Sequence, residues 1–338
     1  MKAYQITENY SITSLQLVEK SYPKLLPNQV LVKIKANSLN YRDLMVVKGF
    51  STWKPPVGRI PLSDGVGTVI ETGGAVGTVA VNDRVAGLFM SKWMSGRLTD
   101  EKMGSSLGGR VKDGLLQEYA IFDESELIHV PDYLTDEEAA TLPCAALTAW
   151  HGLMEKGNIK PGTSVLIQGT GSVSLFSIQF ALLAGAEVIL LSSSEEKLAL
   201  GKKMGVQYLV NYQQIPAWEN AVMQITGGVG ADHIVEVVGG NNINKSIDAV
   251  AVDGTISVIG LIGGLSGEIN TGKIMGRQVR VQGIETGSKE MFSNMNKALE
   301  INRIHPVIDT VYSFQDARQA FHHLEKGATG KVVIKVQD

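Results

Sequence analysis

Only one of the 338 residues is a cysteine, Cys144. A single thiol excludes an intramolecular disulfide framework and points to a reducing compartment, with the cytoplasm as the expected location. Charge of one sign is also missing. Net charge is −3, from 31 basic and 34 acidic residues spread along the chain, which argues against nucleic acid or an anionic membrane as the main partner. No apolar run approaches the roughly 18 residues of a transmembrane helix. The opening stretch MKAYQITENY lacks the apolar centre of a secretory signal. Apolar residues make up 44% and charged residues 19%, the balance of a globular chain that holds its own core. Glycine, by contrast, is plentiful at 37 residues, a sign of tight turns and close backbone approaches. The length exceeds what one hydrophobic core usually organises, so two domains are expected.

The rhythm of the chain divides it accordingly. In QVLVKIKANSLN, Val30, Val32 and Ile34 alternate with Leu31, Lys33 and Lys35, a strand pattern. DGVGTVIETG and NDRVAGLF are strand-like too, bounded by glycine and Asn-Asp turn signals. Residues 92–117 are polar and glycine-rich and read as a long loop. Beyond Thr163 apolar strands alternate with helices: SVLIQG, a helix to Gly185, EVILLSS, a helix stopped at Gly205, YLVNY, a helix, HIVEVVG, a helix, TISVIGLIGG and finally RQVRVQGI. That alternation implies a parallel, doubly wound sheet buried on both faces. The last strand, GKVVIKV, is placed to return to the first domain. The expected division is 1–124 with 287–338 as a β-rich domain and 125–286 as a dinucleotide-binding domain.

The strand VLIQG runs into GTGSVS, which sets Gly169, Gly171, Ser172 and Val173 at a strand-to-helix turn. Gly169 permits the turn, Gly171 lets backbone approach a pyrophosphate, and the following helix offers free N–H groups to the anion. Ser174 stands where a third small residue is wanted. NAD binders place an acid at the end of the second strand to meet the ribose 2′-hydroxyl. Here that strand ends in Ser192-Ser193, with Lys197 one turn later and Tyr212 at the end of the third strand. Hydroxyls and an ammonium favour a 2′-phosphate, so NADP(H) is expected over NAD(H). Ser193-x-x-Glu196 also reads as a capping box, and Lys197 as a solvated helix residue.

NSLNYRDLMVVKG (37–49), PLSDGVGTVIETG (61–73), NDRVAG (82–87), LPCAALTAW (142–150), GTGSVS (169–174) and GKVVI (330–334) together resemble the medium-chain dehydrogenase/reductase superfamily over nearly the whole chain. The resemblance implies an α/β fold: a GroES-like β-domain interrupted by a Rossmann domain with a doubly wound parallel sheet. Zinc alcohol dehydrogenases of that superfamily take a catalytic zinc on two Cys and a His. The matching places here are Asn40, Ser63 and Cys144. One thiol does not make a zinc site, which needs about three protein ligands, and the 92–117 loop lacks the cysteines of a structural zinc lobe. No metal is expected, and Cys144 reads as a small packed residue near the cofactor. What remains resembles the zinc-free, quinone oxidoreductase-like branch, whose Asn-x-x-Asp is matched by Asn40, Tyr41, Arg42 and Asp43.

That branch implies hydride transfer from NADPH to a quinone or enone. Asn40 is expected to hold the nicotinamide amide or a substrate carbonyl, and Tyr41 to donate to a developing oxyanion; each also has a purely structural reading. Whether Tyr41 or a water supplies the proton stays open. Thr148 resembles the family threonine beside the cofactor phosphate. Val238, Gly239, Ile259, Gly260 and Leu261 end the fourth and fifth strands, where backbone is expected to line the nicotinamide ribose in a cleft between domains. Lys331 is a further candidate for cofactor contact. Trp53 and Trp93 either wall an apolar substrate pocket or pack in the core. The expected partners are a small-molecule substrate and a second copy of the chain, paired through the sixth strands near 278–284. The competing functions are an alcohol or aldehyde dehydrogenase of the same superfamily and a non-catalytic NADPH-binding protein.

Overall fold

The computed structural model describes residues 1–337. The chain forms two compact units, one made of Met1–Leu147 with Thr286–Asp338, the other of Thr148–Glu285. The first crossing therefore falls after Leu147 rather than near residue 124. Strand Leu127–His129 still pairs in the first sheet, and the chain leaves that unit only within the helical stretch that follows.

The first unit opens with strands β1 (Lys2–Gln5), β2 (Gln16–Glu19) and β3 (Gln29–Ser38), then helix α1 (Tyr41–Val47). It continues through β4 (Asp64–Thr72), β5 (Arg84–Gly87), α2 (Asp100–Met103), β6 (Tyr119–Asp123), β7 (Leu127–His129) and α3 (Asp136–Ala139). The 92–117 segment is a loop, as its composition predicts, except for the single turn of α2. After α3 the chain passes a π-helical turn at Leu142–Ala146 and helix α4 (Leu147–Trp150).

The second unit holds β8 (Ser164–Gln168), α5 (Ser172–Leu183), β9 (Glu187–Ser192), α6 (Glu195–Lys203), β10 (Tyr208–Asn211) and α7 (Trp218–Ile225). Then come β11 (Ala231–Glu236), α8 (Ile243–Ala249), β12 (Val250–Val258), α9 (Thr271–Arg277) and β13 (Arg280–Gly283). Its sheet has the order β10-β9-β8-β11-β12-β13, and every pairing is parallel. This is the doubly wound order, reversing direction between β8 and β11. Leu166, Ile189, Leu191, Val210, Ile234 and Ile256 from five strands share one core with Trp218, Val222 and Ile247, because apolar residues line these strands on both faces.

The chain then returns to the first unit through α10 (Lys289–Asn302), β14 (Ile308–Ser313), α11 (Ala317–Lys326) and β15 (Lys331–Lys335). The larger sheet runs β14-β15-β3-β4-β5-β7, with β6 also on β3. The tail strand β15 pairs antiparallel with β3, Val333 opposite Ser38, so the expected return is realised. That pairing sets Lys331 beside the end of β3 and the start of α1. No helix among the described residues is long and apolar enough to cross a membrane.

Candidate active site

In the first unit a buried polar ring forms where α1, β4 and β15 meet. Asn40 ends the extended run before α1, and its backbone N–H donates to the Asp43 carboxylate at 2.8 Å, a carboxylate-to-N-terminus cap. The Asn40 side chain is turned the other way. Its Oδ1 accepts from Lys331 Nζ at 2.8 Å, and its Nδ2 reaches Ser63 Oγ at 3.4 Å. Ser63 Oγ donates to Asp64 Oδ1 at 2.9 Å. Asp64 Oδ2 lies 3.7 Å from the Lys331 ammonium, which closes the ring. Lys331 also donates to the Leu39 carbonyl at 2.9 Å. Lys331, Asp64, Ser63 and Asp43 are each at most 1% exposed, and Asn40 6%.

Two local features aim these groups. Gly330, at φ +90°, brings β15 so close to Val307 that a Cβ would sit 2.4 Å from its carbonyl oxygen. Leu62 adopts φ +73°, a strained conformation for a residue with a branched side chain, immediately before Ser63. Burial dominates the electrostatics. It pushes Asp43 up to about 6, with Arg42 opposing and Asp64 reinforcing. Asp64 is also raised by desolvation, against the pull of Lys331 and of its bonds with Asn40 and Ser63. Arg42 bonds the Leu107 carbonyl at 2.8 Å and stacks over Phe89, so it fastens the long loop to α1.

Cys144 sits in the π-helical turn beside this ring. The residue is half-buried, but its thiol is desolvated, which drives its pKa well above the usual value; Asp64 raises it further and Lys331 opposes. A thiol held neutral is a poor nucleophile. It packs with Met291 against Phe89, Met90 and Trp93. Trp93 is itself core, with its indole N–H on the Gly96 carbonyl, and Trp53 packs on Phe50. Tyr41 is 47% exposed at the first position of α1.

In the second unit Gly169 has φ +73° and Gly171 caps α5. A Cβ on either would meet nothing within 4 Å. Space in front of the turn and the N-terminus of a 12-residue helix make an anion cradle. Ser172 and Val173 form the first turn of that helix, half-buried. Ser174 is buried and donates to the Gln168 carbonyl at 2.7 Å, tying helix to strand as a third small residue should.

The end of β9 corrects one expectation. The cap of α6 is Ser194, not Ser193: Ser194 Oγ accepts the Lys197 N–H. Ser192 is buried at 1% exposure, while Ser193 and Lys197 are half-buried and Tyr212 is exposed. Glu195, which could have repelled a phosphate, turns to Asn211 at 2.7 Å and Gln214 at 3.2 Å. Thr148 is buried in α4.

Sequence reasoning missed Glu236, which ends β11 fully buried. Its carboxylate accepts from Gln168 Nε2 at 2.9 Å, from Ser246, from Asn242 at 3.0 Å and from the backbone N–H groups of Val238 and Gly239 at 2.8 and 3.0 Å. It bridges β8 and β11 at the point where the strand order reverses. The Val238 and Gly239 amides are thereby engaged by the protein itself. Gly260 lies against the same turn, where a Cβ would meet the Val237 oxygen at 1.9 Å. Ile259 donates its N–H to the Glu236 carbonyl, and Leu261 is 36% exposed.

Comparison with known proteins matches each unit to a family. Residues 26–132 match the alcohol dehydrogenase GroES-like domain and residues 172–301 the zinc-binding dehydrogenase domain. A zinc-type alcohol dehydrogenase-like protein of Schizosaccharomyces pombe is 42% identical over 320 residues, 93% of this chain and 92% of its own length. The chain belongs to the medium-chain dehydrogenase/reductase superfamily. It is an oxidoreductase of that superfamily, with the GroES-like and Rossmann-like units described above. Other relatives are the 2-methylene-furan-3-one reductase of Solanum lycopersicum, 31% identical over 99% of this chain and 79% of its own length, and the quinone oxidoreductase-like protein 2 of Mus musculus, 27% identical over 92% and 86%. Among solved structures, an NAD-dependent alcohol dehydrogenase superposes with a TM-score of 0.90 at 31% identity, covering 100% of both chains.

The superfamily binds a nicotinamide cofactor, and the glycine turn fits one: Gly169 supplies the left-handed backbone and Gly171 the open approach. The places of the zinc ligands fit less well. An amide, a hydroxyl and a neutral thiol stand there, and an ammonium lies among them. The described residues contain no group of three His, Cys, Asp or Glu side chains able to hold a metal ion. The ammonium of Lys331, a candidate for cofactor contact, bonds the Leu39 carbonyl and Asn40 within the first unit.

Proposed function

We propose that this oxidoreductase is an NADP(H)-dependent reductase of quinones or activated C=C bonds such as enones, working without zinc. The carrying observation is the ring of Lys331, Asn40, Ser63 and Asp64, in which Asn40 and Ser63 stand at two of the places that the resemblance matches to zinc ligands. A nicotinamide cofactor held at the Gly169–Gly171 turn and the start of α5 would supply the hydride. Without a Lewis acid, addition to a plain ketone leaves an alkoxide that hydrogen bonds alone must stabilise. A conjugated acceptor spreads that charge onto an enolate or hydroquinone oxygen, so the protein's task is largely orientation. Asn40 is the fixed polar group of the site. Tyr41 is exposed beside it and can donate to the developing oxygen. The names of the tomato and mouse relatives support this substrate class.

The NADP(H) preference draws on Ser193 and Lys197 at the end of β9 and on the withdrawal of Glu195 toward Asn211. Homodimer formation draws on β13, an edge strand exposed at all four residues, because an open edge invites pairing; light scattering tests it. The main test is NADPH oxidation against quinones, enones and aldehydes, with zinc measured in the same sample. Reduction of quinones or enones without stoichiometric metal is expected. One zinc per chain, with activity lost on chelation, would instead support the alcohol dehydrogenase reading. Cofactor binding with no turnover would support a non-catalytic role. Lys197→Ala should weaken NADPH about tenfold, the value of one charge-assisted bond, and leave NADH unchanged.

A further inference from the structure

The ring has a direction that chemistry imposes. An ammonium only donates, so the Asn40 atom facing Lys331 at 2.8 Å must be the carbonyl oxygen. That orients the Asn40 NH2 toward Ser63 Oγ. The Ser63 proton already lies on Asp64, so its lone pairs are free to accept. Every link runs the same way, from Lys331 through Asn40 and Ser63 to Asp64, and the ion pair returns to the start. Lys331 has three N–H groups; two are bonded to Leu39 and Asn40 and the third faces Asp64. It therefore has no proton to offer a substrate. It is a fixed positive charge.

We propose that Lys331 is the resident cation of this site: its ammonium locks the Asn40 amide in one orientation, polarises it, and supplies the positive potential for the oxygen that gains charge when hydride adds to the acceptor. Lys331 is a positioning residue in this account, acting through Asn40. The inference rests on the reductase reading above. A purely structural lysine would do no more than neutralise Asp64, and the two roles separate experimentally. Hydride from NADPH, which would leave as NADP+, forms the new C–H bond of the acceptor, the π pair moves to the oxygen, and a proton from Tyr41 or water completes the reduction. Lys331 gives up no proton and stays charged throughout.

The test compares the wild type with Lys331→Met and with the neutral pair Lys331→Met/Asp64→Asn, which leaves no carboxylate unpaired and guards against misfolding. The readouts are kcat and KM with an enone and NADPH, thermal stability, and the pH profile of alkylation of Cys144, the sole thiol. The neutral pair is expected to melt close to wild type but to keep kcat depressed at least about tenfold, the low side of losing an oxyanion-stabilising group, with KM for NADPH little changed. Recovery of wild-type kcat in the neutral pair would reduce Lys331 to a counterion and overturn the proposal. Cys144 lies in the turn beside the ring, where Asp64 raises and Lys331 lowers its pKa, so Lys331→Met should move its alkylation profile to higher pH and Asp64→Asn to lower pH. Should the wild type reduce no acceptor, the reductase reading fails by itself, and the alkylation profile then judges Lys331: an unmoved profile shows that its charge does not reach the site.

Discussion

The two units hold their sites by opposite means. In the second unit the anion cradle is backbone: a left-handed Gly169, an uncrowded Gly171 and the start of α5, all within a few residues of one another. In the first unit the site is a charge cluster assembled from β3, α1, β4 and β15, with Lys331 hydrogen-bonded to residues 291 and 292 positions away. A local backbone site survives changes elsewhere in the chain, whereas an assembled charge site depends on every contributor. Losing one partner of the cluster leaves a buried charge unanswered. Losing one glycine of the turn leaves no buried charge unanswered.

The sharpest way to break the comparison is therefore Lys331→Ala. Removing one partner of a buried pair typically costs about 3–5 kcal/mol, and urea unfolding should show a loss of that size. A loss below about 1 kcal/mol would mean that Asp64 is not held charged against Lys331.

Acid titration contrasts the units next, because the first buries raised carboxyls and the second a lowered imidazole. Asp43 in the first unit is raised to about 6 by burial. Between its ordinary pKa and 6 the folded state holds more protons, so stability from this group falls as pH rises. His233 in the second unit is lowered to about 4 by burial. Between 4 and its ordinary 6.5 the unfolded state holds more protons, so stability from this group is lost as pH falls. The two trends oppose each other from about pH 4 to 6. Asp43→Asn should unmask a steeper acid loss and His233→Phe should flatten it, each by about 2–3 kcal/mol across that window. Unfolding free energies at pH 4.5 and 6.5 check both signs.

The glycines give the smaller, local effects. Gly169→Ala forces a left-handed backbone on an L-residue, at roughly 1–2 kcal/mol. Gly171→Ala has normal φ and open space around its Cβ, so stability should change by less than about 0.5 kcal/mol while NADPH affinity falls. Thermal melts and fluorescence titration separate the two. Equal losses of stability at both positions would refute the division of roles.

Smallest of all is Cys144→Ala. The thiol is neutral and packed, so about 1 kcal/mol of stability should go with the cavity and turnover should stay within a few-fold. Loss of turnover in a folded variant would return Cys144 to the chemistry.

The sequence by itself determined what periodicity and spacing encode. The βα alternation, the glycine turn after β8 and the return of the last strand are local or repeated signals, and each appears in the structure. The resemblance also set Asn40, Ser63 and Cys144 at the places expected of metal ligands. Tertiary structure alone decided that Lys331 joins Asn40, Ser63 and Asp64 in one buried ring. Nothing within a few residues of Lys331 marks it as a partner of Asn40, because that contact exists only once β15 pairs with β3. Glu236 was hidden for the same reason: its carboxylate gains meaning only when parallel pairing sets β11 beside β8 and Gln168. The cap at Ser194 rather than Ser193 was a choice among three consecutive serines, settled by where β9 ends. Conformations fixed by steric rules on neighbouring residues can be read along a chain, but the burial that makes a charge costly or useful is created by the fold.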